Sequence, residues 1–269
     1  AQKTDEVFSY SIVVVDNDYE ESAKSIVYSR RNNSTVSIEY DIEPRKHVAL
    51  ARNKALQNAK GDFLAFIDDD EIPVDDWLYN LHRACRQYNA DGVLGPVKPI
   101  FEIQPPDWVV RAQLFERESY KTGTVLHWRN TRTGNVLIRK HILGEQSGWF
   151  SPEFRHSEDL DFFRRKMACG YTFIWCDEAP VHEMQTPDRF RLIYFIRRAL
   201  LRGSMSLRLQ SNKPYFILKS VTALSLYTLS LPFLLIVGRH MFLKYVIKEC
   251  DHIGKLMAAC KIDVQKYLA

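Results

Sequence analysis

The stretch that decides the fold is RKHVALARNKALQNAKGDFLAFIDDDEIPVDDWL, residues 45–78. Residues 45–59 have the apolar spacing of a helix, and Lys60-Gly61-Asp62 ends it. Residues 63–67 (FLAFI) are a continuous apolar run, which predicts a buried strand. Four acidic residues, 68–71, follow that run directly. A helix, a buried strand and an acidic turn in this order predict polar groups at the end of a strand in an α/β sheet.

Strand and helix patterns alternate on both sides of this stretch. This alternation predicts a mostly parallel central sheet with helices on both faces, which is an α/β fold. Ligands of such sheets bind outside the carboxyl ends of the strands, where Asp16 and the acidic turn are both expected. The flanking predicted elements are a strand at 10–15, a helix at 18–31, a strand at 36–40, a helix at 73–88 and a strand at 91–100.

The composition is that of an ordinary globular protein. Of 269 residues, 46% are hydrophobic and 26% are charged, which excludes a disordered chain, a collagen-like repeat and a polytopic membrane protein. The net charge of +4 is too small to indicate a nucleic-acid partner. Five cysteines without a C-x-x-C pair predict neither a disulfide framework nor a zinc ribbon. They favour a reducing, cytoplasmic compartment.

Charge divides the chain into two regions. Residues 189–248 contain eleven Lys or Arg and no Asp or Glu, whereas residues 1–187 have mixed charge. We therefore predict one domain over residues 1–187 and a basic, apolar helical tail over residues 188–269.

The tail contains two patterns typical of membrane contact. Over residues 189–208 arginines alternate with apolar residues, as in a basic amphipathic helix at a membrane surface. Residues 215–238 are long enough to span a bilayer, but Lys219 and Pro232 lower their hydrophobicity. We favour an interfacial or re-entrant helix pair on an anionic membrane, and we keep a true span and a buried soluble pair as alternatives. The interleaved aliphatic residues indicate lipid rather than nucleic acid.

Asp68, Asp69 and Asp70 form the first candidate site. Adjacent carboxylates repel one another, and a divalent cation with oxygen ligands would relieve that repulsion. The alternative is a solvated acidic turn before a helix, because acidic residues are favoured near helix N-termini.

Two later segments add candidate side chains. Glu158 and Asp159 follow Ser157, which predicts a capped helix start, although a carboxylate there could also accept a proton from a hydroxyl. His182 follows an apolar strand. A lone histidine is more often a structural hydrogen-bonding residue than a ligand.

Taken together, the motifs resemble the family 2 glycosyltransferases of the GT-A fold, and within them the bacterial enzymes of exopolysaccharide, capsule or lipopolysaccharide synthesis. The similarity covers about residues 7–200. It implies an inverting, metal-dependent transfer of a hexose from a nucleotide-diphosphate sugar, with a UDP-sugar expected, to a hydroxyl of a glycan or lipid-linked acceptor. The motifs are VVVDND at 13–18, ARN to WL at 51–78, TGNVLIRK at 133–140 and SEDLDFF at 157–163.

The resemblance implies roles for five residues on the nucleotide side. Asp16 matches the acid that hydrogen-bonds the uracil ring, and Arg52 matches an arginine near the nucleotide. Asp68 and Asp70 match the outer acids of the D-x-D motif, with Asp69 in the middle. Asp70 is expected to reach the implied cofactor, Mg²⁺ or Mn²⁺, which bridges the diphosphate. Asp68 and Asp69 are expected to hold the ribose or metal-bound waters.

Other residues match the reacting end of the site. Asp159 matches the catalytic base of the E-D motif, with Glu158 beside it. His182 matches a histidine that adds a metal or diphosphate contact. Gly134 and Asn135 match the loop that lines the sugar and acceptor side.

Aromatic side chains could offer stacking faces to acceptor sugars. Trp149 and Phe150, just before the E-D segment, are the best candidates. Because 12% of the residues are aromatic, the alternative for any one of them is a place in the core.

The chain departs from the family pattern at its beginning. The family has a further strand and helix before the VVVDND strand, and residues 1–8 are expected to be the end of that helix. We therefore expect a fragment that lacks the first strand and helix of the domain.

Two other functions stay open. A sugar-nucleotide pyrophosphorylase would also use acidic metal ligands, although no Gly-rich phosphate loop is visible. A non-catalytic, membrane-associated module that binds nucleotide sugars is the second alternative. The absence of G-x-x-x-x-G-K-[ST] disfavours a P-loop ATPase. For the transferase, the expected location is the inner face of the cytoplasmic membrane.

Overall fold

The structure, a computed structural model, describes residues 2–145, 148–154, 157–210, 212–264 and 266. The strands in this part of the chain are β1 (Ile12–Asp16), β2 (Ile38–Ile42), β3 (Phe63–Ile67), β4 (Glu71–Pro73), β5 (Gly92–Leu94), β6 (Val97–Phe101), β7 (Asn135–Arg139), β8 (Phe173–Trp175) and β9 (Val181–Gln185). The helices are α1 (Lys24–Asn32), α2 (Val48–Asn58), α3 (Trp77–Gln87), α4 (Asp107–Arg111), α5 (Glu158–Ala168), α6 (Leu192–Arg208), α7 (Lys213–Val237) and α8 (Arg239–Ala259).

The chain divides into two compact units. Unit 1 comprises Ala1–Lys98 and Arg117–Glu183, and unit 2 comprises Pro99–Glu116 and Met184–Ala269. Residues 99–116, which the sequence analysis assigns to the first domain, therefore belong to unit 2.

Unit 1 has the predicted α/β architecture, but its sheets are mixed rather than mostly parallel. The four-stranded sheet has the order β3-β7-β5-β8. In it, β7 runs antiparallel to both of its neighbours, whereas β5 and β8 are parallel. A separate two-stranded sheet pairs β1 and β2 in parallel. No strand was predicted at the position of β7, which the chain reaches through a long connection with only short helical turns, and not through a helical crossover.

Helices cover both faces of the four-stranded sheet, as predicted. Val136 and Ile138 of β7 belong to one apolar cluster, which also contains residues of α2 and α5. Leu137, between them, belongs to a second cluster with residues of α3. Since consecutive strand residues point to opposite faces, the two clusters lie on opposite sides of β7.

Two predicted helix starts lie further along the chain. The helix expected from Pro73 begins at Trp77, and Glu71–Pro73 instead forms β4, which pairs antiparallel with β9. The helix expected from Asp18 begins at Lys24. A carboxylate oxygen of Asp16 accepts a hydrogen bond from the Ala23 amide at 2.9 Å, which stabilises the non-helical segment between them.

Unit 2 contains three long helices, and α8 packs against both α6 and α7. Gly203 of α6 faces the Asp251 carbonyl, and Gly254 of α8 faces the Leu200 carbonyl. A β-carbon on either glycine would overlap that backbone, so the two helices pack at a distance that needs glycine at both positions. In contrast, α7 has a mean hydropathy of 1.9 and is only 6% buried over its most apolar window. By length and composition it could cross a membrane.

Candidate functional site

Arg52, on α2, joins two segments that are far apart in sequence. Its Nη1 donates to Oε1 of Glu158 at 2.5 Å, and its Nη2 donates to Oδ1 of Asp68 at 3.4 Å. The Arg52 side chain is only 17% exposed, so these pairs are partly shielded from solvent. The turn after β3 and the start of α5 therefore present their carboxylates to the same guanidinium group.

A second contact fixes the segment before α5 against α2. The side-chain Nδ2 of Asn53 donates to the Phe150 carbonyl at 2.8 Å, and the backbone amide of Phe150 donates to Asn53 Oδ1 at 2.9 Å. The Arg52 guanidinium carbon lies 5.8 Å from the centre of the Phe150 ring. Asn53 belongs to the A-R-N motif, but this contact is not predictable from the sequence.

The acidic residues after β3 form a tight turn, which we call the aspartate turn (Asp68–Glu71). The Glu71 amide donates to the Asp68 carbonyl at 3.1 Å, and the Asp68 amide donates to Oε2 of Glu71 at 3.2 Å. Glu71 itself is buried. A β-carbon at Gly134 would lie 2.7 Å from Oε1 of Glu71 and 2.9 Å from Oδ2 of Asp68. Residue 134 thus contacts the turn at its backbone, and the site requires glycine there.

Three carboxyl groups of the site, those of Glu71, Glu158 and Asp159, have raised pKa values. Burial, followed by the charge of Asp68, raises the pKa of Glu71 to about 8. Burial, followed by Asp159, raises the pKa of Glu158 to about 7. Burial also raises the pKa of Asp159, against the opposing charge of Arg52. Burial thus favours the protonated form of these carboxyl groups, and the neighbouring acids add to this effect.

Two further arginines lie near these carboxylates, and neither was predicted from the sequence. Arg117 pairs with Glu183, which lies opposite Glu71 in the β4–β9 register. Burial, followed by Arg117, lowers the pKa of Arg132 to about 10, and Glu71, Glu183 and Asp159 act in the opposite direction. Both arginines lie in the irregular connection before β7, where no periodic pattern marks their positions.

The oxygen donors of the aspartate turn fit a divalent cation. Carboxylates are the ligands that Mg²⁺ prefers, and it usually takes one or two of them together with substrate phosphates. Burial opposes the ionisation of Glu71 and Glu158, and a nearby cation would favour their ionised forms. Within the described ranges, no three or more His, Cys, Asp or Glu residues are grouped closely enough to make a metal site by themselves. Such a site would therefore need ligands from a substrate.

His182 lies on β9, directly opposite Ile72 of β4, while Glu183 lies opposite Glu71. Opposite residues share a face of the sheet and neighbours alternate, so His182 points away from the face that carries the Glu71 carboxylate. Its metal or diphosphate contact stays a prediction.

Asp16 ends β1 and is buried. Its Oδ2 accepts hydrogen bonds from the Ala23 amide at 2.9 Å and from the Tyr40 hydroxyl at 3.0 Å. Burial, followed by the hydrogen bond to Asp16, raises the pKa of Tyr40 to about 12. Asp16 is therefore held rigidly at the carboxyl end of the strand, and its contact with uracil stays a prediction.

Two of the residues predicted to contact the sugar or acceptor lie in the core. Asn135 has no exposed surface, and its side-chain amide bonds Trp77 and the backbone of two loops. Phe150 also has no exposed surface, and it stacks on Phe162 at 4.7 Å between ring centres. In this structure neither side chain can touch a sugar, so both support the site from behind. Trp149 is partly buried and donates to the Leu143 carbonyl at 3.0 Å, and its stacking role stays a prediction.

Arg52 thus joins the acidic turn at the end of β3 to Glu158 at the start of α5. The sequence model described as Glycosyl transferase family 2 matches residues 5–146. The chain belongs to this family. The matched region includes Asp16, Arg52 and the aspartate turn, and it ends before Glu158.

Two curated relatives are similar to the chain. The succinoglycan biosynthesis protein ExoM of Rhizobium meliloti (strain 1021) is 33% identical over 209 residues, which are 76% of this chain and 66% of that protein. The hyaluronan synthase of Pasteurella multocida is 27% identical over 215 residues, which are 68% of this chain and 22% of that protein. The chain thus matches just under two thirds of the first relative and about a fifth of the second.

Among solved structures, that of S. aureus TarS 1-349 in complex with UDP is similar at 15% identity and a TM-score of 0.49. The alignment covers 94% of this chain and 83% of that one. This score is too low to support an argument, so the family assignment depends on the sequence matches.

Proposed function

We propose that unit 1 is an inverting, metal-dependent hexosyltransferase. It moves a hexose from a nucleotide-diphosphate sugar, with a UDP-sugar expected, to a hydroxyl of a glycan or lipid-linked acceptor in cell-surface polysaccharide synthesis. The observation that supports this most is Arg52, which pairs with both Asp68 and Glu158. Family membership supports the transferase reaction, and the names of the two curated relatives support the polysaccharide setting.

In the proposed reaction, Asp68 and Asp70 would hold Mg²⁺ or Mn²⁺, which would supply charge neutralisation for the diphosphate. Asp159 takes the proton of the acceptor hydroxyl while its oxygen attacks the anomeric carbon. The bond from that carbon to the diphosphate oxygen breaks on the opposite face, and its electron pair leaves with the nucleoside diphosphate. A single displacement inverts the anomeric centre, so an α-linked donor gives a β-glycoside.

The contacts of the E-D motif separate its two carboxylates. Glu158 accepts a hydrogen bond from Arg52, so we assign it a positioning role. Asp159 forms no ion pair with a described residue, and its Oδ1 accepts a hydrogen bond from the following amide, that of Leu160, at 2.7 Å. A raised pKa makes its carboxylate a better proton acceptor. We therefore assign the base to Asp159.

Product analysis tests the reaction against its alternatives. Purified chain is incubated with a panel of sugar nucleotides and Mn²⁺ or Mg²⁺, and the released phosphates are identified. A transferase releases nucleoside diphosphate. Release of pyrophosphate from a nucleoside triphosphate plus sugar phosphate would identify a pyrophosphorylase, and no release from any donor would leave a binding module.

We also propose that unit 2 attaches the enzyme to an anionic lipid surface, at the inner face of the cytoplasmic membrane. Residues exposed on α7 are mostly apolar, and Phe233 and Ile236 are 71% and 86% exposed. Such exposure argues against the buried soluble helix pair. Residues 189–248 carry eleven basic residues and no acidic one, which is the charge that anionic lipid attracts.

The contacts of α8 favour a helix that lies on the membrane over one that crosses it. Near the middle of α7, the Thr228 hydroxyl donates to Oε1 of Glu249 at 2.8 Å, and the Tyr227 ring packs on His252 at 5.7 Å. If α7 crossed the bilayer, this packing would carry Glu249 and His252 towards the hydrocarbon centre, where charged groups are costly. If α7 instead lay in the plane of the interface, Glu249 and His252 would stay near water.

Vesicle sedimentation tests the attachment. We expect the chain to bind vesicles containing anionic lipid, and Phe233→Ser with Ile236→Ser to weaken that binding at least about tenfold, since two large apolar side chains lose their burial. Release by alkaline carbonate would agree with an interfacial helix, whereas retention would indicate a span. Binding to neither anionic nor neutral vesicles, with a dimer in solution, would show that a second copy covers α7 instead.

A further inference from the structure

Among the residues that the structure describes, three arginines of unit 1 lie near the carboxylates, and two of them are already paired. Arg52 bonds Glu158 and Asp68. Arg117 bonds Glu183. Arg132 forms neither a hydrogen bond nor an ion pair with any described residue, and its Nε is buried without a partner. Its guanidinium carbon lies 6.0 Å from the centre of the Trp175 ring.

Arg132 lies on the segment that faces the aspartate turn. In the β3–β7 pair, Ile67 is opposite Asn135, and both strands leave the sheet at this point. Gly134, the residue just before β7, contacts Asp68 and Glu71. Arg132 precedes Gly134 by two residues, and the charges of Glu71, Glu183 and Asp159 act to raise its pKa. Arg132 is thus a cation near both the aspartate turn and the proposed base, Asp159.

A partly buried guanidinium without a bonded partner is a costly group to keep. Leaving a buried donor unsatisfied costs about 1–3 kcal/mol, and more for a charged group. Its planar donors match phosphate oxygens well, and two of them can bind one phosphate at the same time. The nearby carboxylates have not drawn it into an ion pair, so its donors are available to a substrate.

We propose that Arg132 binds the diphosphate of the donor and stabilises it as the leaving group. This inference rests on the proposed function, because it needs a nucleoside diphosphate in the site. Arg132 donates to the diphosphate oxygens from the side of β7, while the aspartate turn at the end of β3 would hold the divalent cation that neutralises them. As the bond to the anomeric carbon breaks, negative charge grows on the diphosphate, and a fixed cation stabilises that charge.

Binding of UDP and of uridine, measured on the full chain with Mn²⁺, tests the inference. Uridine shares the base and ribose but has no phosphate. Arg132→Met should weaken UDP binding about tenfold or more and leave uridine binding within about twofold, as expected for one lost charge-assisted hydrogen-bonding group. Arg132→Lys should keep part of the preference, because it keeps the charge and loses the planar fork. Arg129→Met, at an exposed position three residues away, is the matched control and should change neither affinity.

Chemical rescue separates a binding role from a structural one. Guanidinium at millimolar concentration should restore part of the UDP affinity of Arg132→Ala and should not affect wild type. If Arg132→Met weakens UDP and uridine equally, or if it keeps the full preference of wild type, the inference is wrong and the proposed transferase still stands. If wild type itself prefers UDP no more than uridine, the proposed function fails as well.

Discussion

The carboxylate site of unit 1 contains acidic side chains that are buried, whereas helix α7 of unit 2 has apolar side chains that are exposed. In the carboxylate site, burial and then the charge of a neighbouring acid raise the pKa values of Glu71 and Glu158. Along α7, large apolar side chains such as Phe233 and Ile236 are mostly exposed. Charge that is buried without enough counter-charge and apolar surface that is exposed to water are both unfavourable.

This contrast bears on the partner that we propose for each region. For a cluster of carboxylate oxygens, we propose a divalent cation and the phosphates it carries. A long apolar helix beside a basic sequence is matched by anionic lipid. The two regions can therefore be tested separately, because a change in one partner should leave the other region unaffected.

The largest effect is expected at the proposed base. Asp159→Asn removes the proton acceptor, and turnover should fall about 10²–10⁴-fold. Donor binding should change little, because the base acts on the acceptor. The measurement is nucleoside diphosphate release at saturating donor, with donor affinity from titration. Glu158→Gln is the comparison, since it breaks the pair with Arg52 and should disturb donor binding as well. Equal loss of binding in both variants would remove Asp159 from the role of base.

The next effect is expected at Gly134. In Gly134→Ala the new β-carbon would meet Oε1 of Glu71 at 2.7 Å and Oδ2 of Asp68 at 2.9 Å, so the aspartate turn must shift. Donor affinity should fall about tenfold, with a loss of stability of about 1–3 kcal/mol. Gly170→Ala is the control, because φ is +91° there and nothing lies within 4 Å. It should cost stability without a specific loss of donor binding, and similar binding losses in both variants would contradict the account.

A smaller effect is expected from pH without divalent cations. Folding raises the pKa of Glu158 from 4.5 to about 7 and that of Glu71 from 4.5 to about 8. The folded chain thus keeps protons that the unfolded chain releases. The contribution of these two groups to the free energy of unfolding is fully present below pH 4.5, and it is lost as the pH rises to about 8. Urea unfolding in EDTA at pH 5.5 and 8.5 measures this.

Glu71→Gln is the matched variant for that experiment. It keeps an oxygen for the Asp68 amide but cannot ionise, so its stability should fall less than that of wild type by about 1–3 kcal/mol over the same range. Added Mn²⁺ should stabilise wild type more at the higher pH. Parallel pH profiles for the two proteins would show that Glu71 ionises normally in the folded chain.

The smallest effect on stability is expected on α7. Phe233 is 71% exposed, so Phe233→Ser should change the free energy of unfolding by no more than about 0.5 kcal/mol in the absence of lipid. Phe195 of α6 is only 5% exposed and is the control. Phe195→Ser should cost about 3–5 kcal/mol, as for loss of a core aromatic residue. A large loss for Phe233→Ser without lipid would show that α7 is covered by protein.

The sequence predicted the elements whose pattern is local and strong. The FLAFI run at residues 63–67 is β3 with the same bounds, and the helix predicted at 45–59 is α2 at Val48–Asn58. The start of α5 was also predicted at Ser157, although its hydroxyl makes no capping hydrogen bond. These signals are periodic or compositional, so one sequence is enough to detect them.

The parts that were missed depend on contacts between distant segments. The direction of β7 is set by its neighbours and not by its own residues. Arg117 and Arg132 lie in an irregular connection, where nothing in the sequence sets them apart from surface arginines. Phe150 and Asn135 carry side chains that suit a sugar site, but tertiary packing buries both. Burial of a single residue in a loop has no sequence pattern.

Calorimetric titration of UDP into the chain tests the central claim most directly, which is that the aspartate turn and the E-D segment form one metal-dependent nucleotide site. The titration is run with Mn²⁺ and with EDTA, for wild type, Asp70→Asn and Asp159→Asn. We predict that Mn²⁺ strengthens UDP binding by wild type and by Asp159→Asn, and that Asp70→Asn loses most of this gain. UDP binding by wild type that is the same with Mn²⁺ and with EDTA would contradict the account.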